Sequence, residues 1–273
     1  ALAADNEAPP VTLAVRPGRA TVDELVEAGA VPGRWSPYAA TLRAGDPSKL
    51  PAVAEGRAGV QDEGSQLVTL ALANAPLDGN DDRWLDLCAG PGGKAALLAG
   101  LAAPRGSTLL AVERHMHRAR LVSRALSGTA GRWAAVVAGD ATVPAWRAAR
   151  FDRVLLDVPC TGLGALRRRP EARWRRSPAD VSALRPVQAA LLRTALDAAR
   201  PGGLVAYVTC SPHPAETTVV VVNDVLGERG DAEYVDARPF LAGVPELGGG
   251  PQIQLWPHRH GTDAMFLALL RKR

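Results

Sequence analysis

The stretch Arg83–Ala103, RWLDLCAGPGGKAALLAGLAA, sets two different periodicities on either side of one glycine turn. A short, nearly continuous apolar run ending in Gly-Pro-Gly-Gly reads as a parallel strand buried on both faces. The alanine- and leucine-rich run behind it reads as a helix. Strand, glycine turn and helix open a βαβ unit, in which missing side chains let backbone N–H groups approach a ligand at the helix N-terminus.

Working outward, the alternation continues. STLLAVE (107–113), WAAVVAGD (133–140), FDRVLLDVPC (151–160), PGGLVAYVTC (201–210) and AMFLALL (264–270) read as strands, with helices from His115 to Leu126 and over about 180–200. ETTVVVVNDVLGER (216–229) has the composition of a strand, yet a right-handed crossover needs a helix there, and a helix is predicted. Residues 59–273 are therefore expected to form an α/β, Rossmann-like, doubly wound sheet. Residues 1–58 differ in texture: VTLAVRP, TVDELVEAG and YAATLR, running into AGVQDEG, suggest short strands around short helices, a small α+β module packed against the rest.

Bulk properties narrow the function classes. With 273 residues and 47% hydrophobic content the chain can bury a large core. Its longest apolar runs, such as Val219–Val222, fall far short of the roughly 18 residues a membrane span needs, and no leader pattern opens the chain. A cytoplasmic protein with no membrane partner is expected. Ala1 in place of methionine suggests a processed chain or a piece of a longer one. Three cysteines without a C-x-x-C pair make no disulfide framework, so the thiols are either buried or chemically used. A net charge of +4 and a pI near 9.3 are compatible with nucleic acid without demanding it. The H-x-H pairs His115/His117 and His258/His260 lack a third ligand, so no metal is expected.

The glycine turn has further company. Glu113 stands twenty residues past Gly93 at the end of the next strand, where an acid can accept ribose hydroxyls, and Asp140 ends the third strand near an adenine edge. Together they describe a nucleoside cradle. Because Gly90, Gly92 and Ala95 also fit G-x-G-x-x-A, a nicotinamide-dependent oxidoreductase stays in view.

Cys160 and Cys210 both lie at carboxyl ends of predicted strands, where doubly wound sheets bind ligands. If those strands are neighbours, a spacing of about 5 Å lets both thiols face one substrate. Pro159 and Pro212 break the chain where a core residue would want regular pairing, whereas Cys88 reads as buried and inert. A nucleoside cofactor, two thiols and a carboxylate suit methylation of cytosine at carbon 5. That carbon becomes nucleophilic only after a thiolate adds at carbon 6, and the later loss of the carbon 5 proton and of the thiolate gives a second group its own task. Asp157, three residues before Cys160, can hold the cytosine's N3 and amino edge, which asks for a carboxyl whose pKa is raised by burial.

The set DLCAGPGGK, GDAT, DVPCTGLGALRRRPEARWR, YVTCS and GTDAMFLALL resembles the RNA cytosine-5 methyltransferases of the RsmB/NOP2/NSUN (Sun/Fmu) family, most closely the bacterial RsmB branch that modifies small-subunit (16S) ribosomal RNA. The likeness runs from about residue 58 to the end, with VQDEGSQL resembling the segment before the family's cofactor domain. It implies a class I fold and S-adenosyl-L-methionine held by Cys88, Ala89, Gly90, Pro91, Gly92, Gly93, Lys94, Glu113, Asp140 and Asp157. It also implies that Cys210 is the nucleophile, that Cys160 assists product release, and that residues 1–58 are an RRM-like RNA-binding module. Two mild departures are Ala89-Gly90-Pro91-Gly92-Gly93-Lys94-Ala95 for Ala-Pro-Gly-Gly-Lys-Thr, and Glu113 for Asp. The bacterial relatives carry a helical NusB-like domain in front, which this sequence is expected to lack.

RRRPEARWRR supplies Arg167, Arg168, Arg169, Arg173, Arg175 and Arg176 around Trp174, a pattern in which guanidinium groups meet phosphates and the indole stacks on a base. Ribosomal RNA is the expected partner, met by a monomer. Three other functions compete. A nonenzymatic RNA-binding or ribosome-assembly protein with a relic cofactor pocket leaves every filled catalytic position without a purpose, and a nicotinamide enzyme leaves the thiol pair idle. A DNA methyltransferase would make Cys160 the attacking thiol, but no ENV-type motif or recognition insertion is present.

Overall fold

The computed structural model describes residues 2–128 and 134–273. Its helices of α type are α1 (Val22–Glu27), α2 (Pro51–Ala54), α3 (Glu63–Asn74), α4 (Gly93–Ala102), α5 (Met116–Leu126), α6 (Ala172–Arg175), α7 (Pro178–Ala198) and α8 (Pro257–His260). The first four strands are β1 (Val11–Val15), β2 (Ala30–Pro32), β3 (Ala39–Leu42) and β4 (Ala58–Val60). Eight more follow: β5 (Arg83–Asp86), β6 (Thr108–Glu113), β7 (Ala134–Ala138), β8 (Phe151–Asp157), β9 (Ala199–Thr209), β10 (Ala232–Val235), β11 (Ile253–Gln254) and β12 (Phe266–Lys272).

The large sheet runs β10-β12-β9-β8-β5-β6-β7, with β11 added beside β12. From β9 to β7 neighbouring strands are parallel, whereas β12 is antiparallel to β9 and β10 antiparallel to β12. The first two crossovers carry the chain outward from β5 through β6 to β7, and the next returns it to β8 on the opposite side of β5. That reversal is a topological switch point, and a cleft opens at the strand ends beside it. The strands are legible as apolar runs because helices cover both faces: Leu67, Val68 and Leu98 of α3 and α4 pack on one side, Leu192, Leu196 and Val221 on the other.

The valine-rich segment is the helix that the crossover needs, wound over Val219–Leu226 as a π-helix, a winding that composition does not announce. The strand expected over 133–140 runs from Ala134 to Ala138, and Trp133 lies outside the described residues. The long helix ends two residues before 200 because Ala199 already pairs with Phe151 as the start of β9.

The small module is a four-stranded antiparallel sheet in the order β2-β3-β1-β4, built as β-α-β-β-α-β around Leu13, Val15 and Leu25. Its last strand takes in Ala58–Val60, two residues past the boundary read from texture, because Ala58 and Val60 pair with Val15 and Leu13. Arg16 reaches from the end of β1 to the Gly93 carbonyl at 3.4 Å, and Glu63 receives the backbone N–H groups of Trp35 and Ser36 at 2.6 and 2.7 Å. At the same boundary Asp62 and Asp263 face Arg167 and Arg168: Arg168 Nη2 donates to Asp62 at 2.9 Å, and Arg167 Nη2 to Asp263 at 3.3 Å. Among the described residues no helix is long and apolar enough to cross a membrane.

Gly92, at φ +115°, caps α4, and a Cβ there would lie 2.7 Å from the Ala125 Cβ and 3.1 Å from the Val122 Cα. Gly92→Ala should therefore lower stability by about 1–3 kcal/mol, combining left-handed strain with a displaced α5. A downward shift of the urea midpoint at unchanged m-value checks it.

Candidate active site

The register of two neighbouring strands builds the site. Asp157 of β8 lies opposite Val208 of β9, and Val158 N–H donates to the Val208 carbonyl at 2.9 Å. Cys160 and Cys210 follow within a few residues on each chain, and their sulfurs stand 3.3 Å apart, close enough to share a proton. This contact favours one thiolate and disfavours two. The hydrogen bond holds Cys160 below the ordinary thiol range, whereas the same bond, burial and the neighbouring charge hold Cys210 well above it. Moving one proton across the contact exchanges the two states, and the Lys94 ammonium favours a thiolate on Cys210.

Lys94, from the first turn of α4, donates to Asp157 at 2.8 Å. Burial opposes its charge, but the Asp157 carboxylate outweighs burial and holds Lys94 above its ordinary value. Asp157, expected to be a buried carboxyl, thus has an ammonium as its partner. Beneath this pair Asp86 ends β5 at 1% exposure; its Oδ1 accepts the Cys88 N–H at 3.3 Å while Oδ2 has no protein partner. Burial, then the charge of Asp157, pushes Asp86 up to about 7. Burial also pushes the Cys88 thiol up, which suits the inert role.

A cleft of about 790 Å³ joins the thiols to the glycine turn. Cys88, Gly90, Pro91, Glu113, Asp140 and Asp157 line it together with Cys160 and Cys210, whereas Ala89, Gly92, Gly93 and Lys94 of the expected set are not among its lining residues. Gly90 is required by close approach: a Cβ would fall 2.0 Å from Glu113 Oε2. Arg118 bridges the two, donating to the Gly90 carbonyl at 2.7 Å and standing 3.6 Å from Glu113. Glu113 Oε1 accepts the His115 N–H at 2.9 Å. At the rim Asp140 accepts the Thr142 N–H and hydroxyl, which hold its carboxyl below the usual range.

The arginine cluster divides. Arg167 and Arg168 turn inward to Asp62 and Asp263, and Arg176 Nε caps the Thr161 carbonyl at 3.0 Å. Arg173 holds the Asp5 carbonyl at 2.7 Å, Arg169 and Arg175 line the cleft, and Trp174 is 79% exposed beside them. Among the described residues no group of three or more His, Cys, Asp or Glu is arranged to hold a metal. Sequence reading passed over Asp86, although an acid inside the apolar LDLC run signals it, and passed over Arg118, which nothing local marks.

The family model for 16S rRNA methyltransferase RsmB/F matches residues 73–271. A Mycobacterium tuberculosis (strain H37Rv) protein, named only as a candidate methyltransferase, is 55% identical over 274 residues, 99% of this chain and 58% of its own length. Ribosomal RNA small subunit methyltransferase B of Pasteurella multocida is 34% identical over 82% of this chain and 49% of its own. The chain thus spans about half to three fifths of the length of these curated relatives. Among solved structures, a methyltransferase homolog protein from Pyrococcus horikoshii superposes with a TM-score of 0.80 at 24% identity, covering 99% of this chain and 89% of its own. NSun6 from the same organism, solved with SFG, gives 0.80 at 19% over 99% and 93%; at such identities both show the fold, that of class I methyltransferases.

Asp86 supplies a pH test. Its raised pKa means the folded chain binds a proton that the unfolded chain releases, so stability falls as pH rises from the ordinary 3.8 toward about 7. Asp86→Asn keeps the acceptor for Cys88 N–H without the titration. Its stability relative to the parent should grow across that window by about 2–4 kcal/mol, read from urea midpoints at both ends of the range.

Proposed function

Because the chain belongs to the 16S rRNA methyltransferase RsmB/F family, we propose that it transfers a methyl group to carbon 5 of a cytosine in small-subunit ribosomal RNA, through a covalent bond between Cys210 and carbon 6. The observation that carries this reading is the pair of sulfurs 3.3 Å apart at the mouth of a cleft that ends in a glycine turn.

S-adenosylmethionine, the cofactor of the family, supplies the methyl group. The residues fit it: Gly90 lets the turn lie against Glu113, where a Cβ would fall 2.0 Å from Oε2, and Glu113 and Asp140 stand at successive strand ends along the cleft as acceptors for ribose and a boundary for adenine. Asp86 leaves one carboxylate oxygen without a protein partner beneath the turn.

The chain's own residues divide the reaction. Cys210 passes its proton across the 3.3 Å contact to Cys160, with the Lys94 ammonium easing the charge, and adds to carbon 6 as the thiolate. Asp157 accepts from the cytosine amino group, and the Lys94 ammonium beside it is the nearest source of the proton that N3 needs as charge builds on the ring. Cys160, beside the departing sulfur, acts in the release step, when the carbon 5 proton leaves and the carbon–sulfur bond breaks. The β-α-β-β-α-β module is the proposed RRM-like RNA-binding unit. Arg169, Arg175 and Trp174 are the side chains of the cluster best placed for phosphate and base, since Arg167 and Arg168 are committed to carboxylates.

The two cysteines should have opposite phenotypes. Cys210→Ala abolishes methylation and any covalent species. Cys160→Ala lets addition and methyl transfer proceed but stalls elimination, so a denaturant-resistant protein–RNA adduct accumulates with cofactor and RNA present. Denaturing gel mobility reads it, and an adduct in Cys210→Ala with none in Cys160→Ala would reverse the roles. Neutralising Arg169 and Arg175 together should reduce the slope of log affinity against log salt for ribosomal RNA by about 2, one for each phosphate left without its guanidinium. Filter binding across a salt series checks it.

A further inference from the structure

Behind the thiols lies a carboxylate that the reaction just described does not use. Glu216 ends a 3-10 turn, Pro214–Glu216, and is fully buried at 0% exposure. It forms no salt bridge among the described residues, and an unpaired buried charge is costly unless hydrogen bonds replace its water. Four donors do so. Oε1 accepts the Thr161 N–H at 2.8 Å and Gln188 Nε2 at 3.1 Å, while Oε2 accepts the Thr161 hydroxyl and, at 2.6 Å, the Ser211 hydroxyl.

The origin of these donors is informative. Thr161 directly follows Cys160, and Ser211 directly follows Cys210. Gln188, from α7, also donates to the carbonyl of Pro159, the residue just before Cys160. Glu216 is itself anchored, since the Tyr207 hydroxyl of β9 donates to its backbone carbonyl at 2.8 Å. Pairing between β8 and β9 ends at Asp157–Val208, while β9 stays paired with β12 as far as Thr209. Beyond that rung one backbone bond, from the Gly164 N–H to the Cys210 carbonyl at 2.8 Å, joins the two loops that carry the sulfurs, and the Glu216 side chain supplies the rest of the tie.

We propose that Glu216 is the positioning residue of the thiol pair: its carboxylate clamps the loop after β8 to the loop after β9 and so sets the distance between Cys160 and Cys210. The inference deepens the two-thiol reading above, but its test needs neither RNA nor cofactor. Phenylarsine oxide bridges two thiols only when they stand together; two arsenic–sulfur bonds form, and the two thiol protons leave with the arsenic-bound oxygen as water. The parent chain should capture it in a complex that resists excess monothiol and yields to dithiol. Glu216→Ala should weaken capture about tenfold or more, the factor that one lost charged hydrogen bond carries, while each thiol alone still alkylates. Glu216→Gln, whose amide can face the two hydroxyls, should restore capture. In methyl-transfer assays Glu216→Ala should lower kcat and leave the KM for the cofactor unchanged.

A merely stabilising role predicts otherwise. Leu196→Ala removes a buried leucine from α7 and should lower the melting temperature without touching capture, measured well below melting. Equal loss of capture in Leu196→Ala, or unaltered capture in a folded Glu216→Ala chain, overturns the proposal. If Glu216→Ala does not fold, Thr161→Val and Ser211→Ala each remove one hydroxyl donor, and undiminished capture in both overturns it instead. A chain that methylates no cytosine yet loses capture in Glu216→Ala sinks the proposed reaction and leaves the clamp standing.

Discussion

Parallel pairing of β8 with β9 is the constraint on which the rest depends. It places Asp157 opposite Val208, and Asp157, Cys160 and Cys210 all lie within three residues of that rung. A shift of one residue would turn every side chain of a strand to the other face of the sheet, sending the thiols to opposite sides of the layer. The register is protected by burial, because both strands are apolar on both faces and Leu155, Leu156, Ala206 and Tyr207 are inaccessible to solvent. Such a core does more than stabilise. It converts a sequence separation of fifty residues into a sulfur–sulfur contact.

The polar chemistry is layered on that frame by charge. Asp86, Asp157 and Glu113 converge from three adjacent strands, and their mutual repulsion is relieved by Lys94 and Arg118 from the helices that follow the first and second of those strands. The relief is uneven. Asp157 receives an ammonium, Glu113 a guanidinium and a backbone N–H, and Asp86 only a backbone N–H; burial, then the charge of Asp157, pushes the Asp86 carboxyl up to about 7.

The strands and the outer helices were legible because burial on two faces writes itself as apolar runs, and the adjacency of Cys160 and Cys210 was legible because both close such runs. Partnerships across long separations were not. Arg167 and Arg168 looked like an RNA-facing cluster with their neighbours, but their carboxylate partners, Asp62 and Asp263, stand about a hundred residues away on either side. Lys94 met Asp157 across sixty-three residues, an ion pair that the expectation of burial around that acid did not include. Glu216 opens a segment whose valines drew attention to its helix, and nothing local says that the carboxylate points the other way, beneath the thiols. The winding of that segment was equally hidden, since composition distinguishes helix from strand only weakly and α from π not at all.

The knot of Asp62, Asp263, Arg167 and Arg168 has a consequence for how this architecture can be recombined. Asp62 follows the last strand of the small sheet and caps α3, Asp263 precedes β12, and the arginines belong to the loop behind Cys160. Three segments far apart in sequence are thus tied at one point, with Asp263 held near a pKa of 6 by burial and by Asp62. A foreign module spliced in ahead of α3 without its own aspartate at this position would leave two guanidinium groups facing one acid, and the resulting slack would fall on the loop that carries Cys160. The small sheet is therefore not an interchangeable cassette: transplanting it means transplanting the acid at its exit.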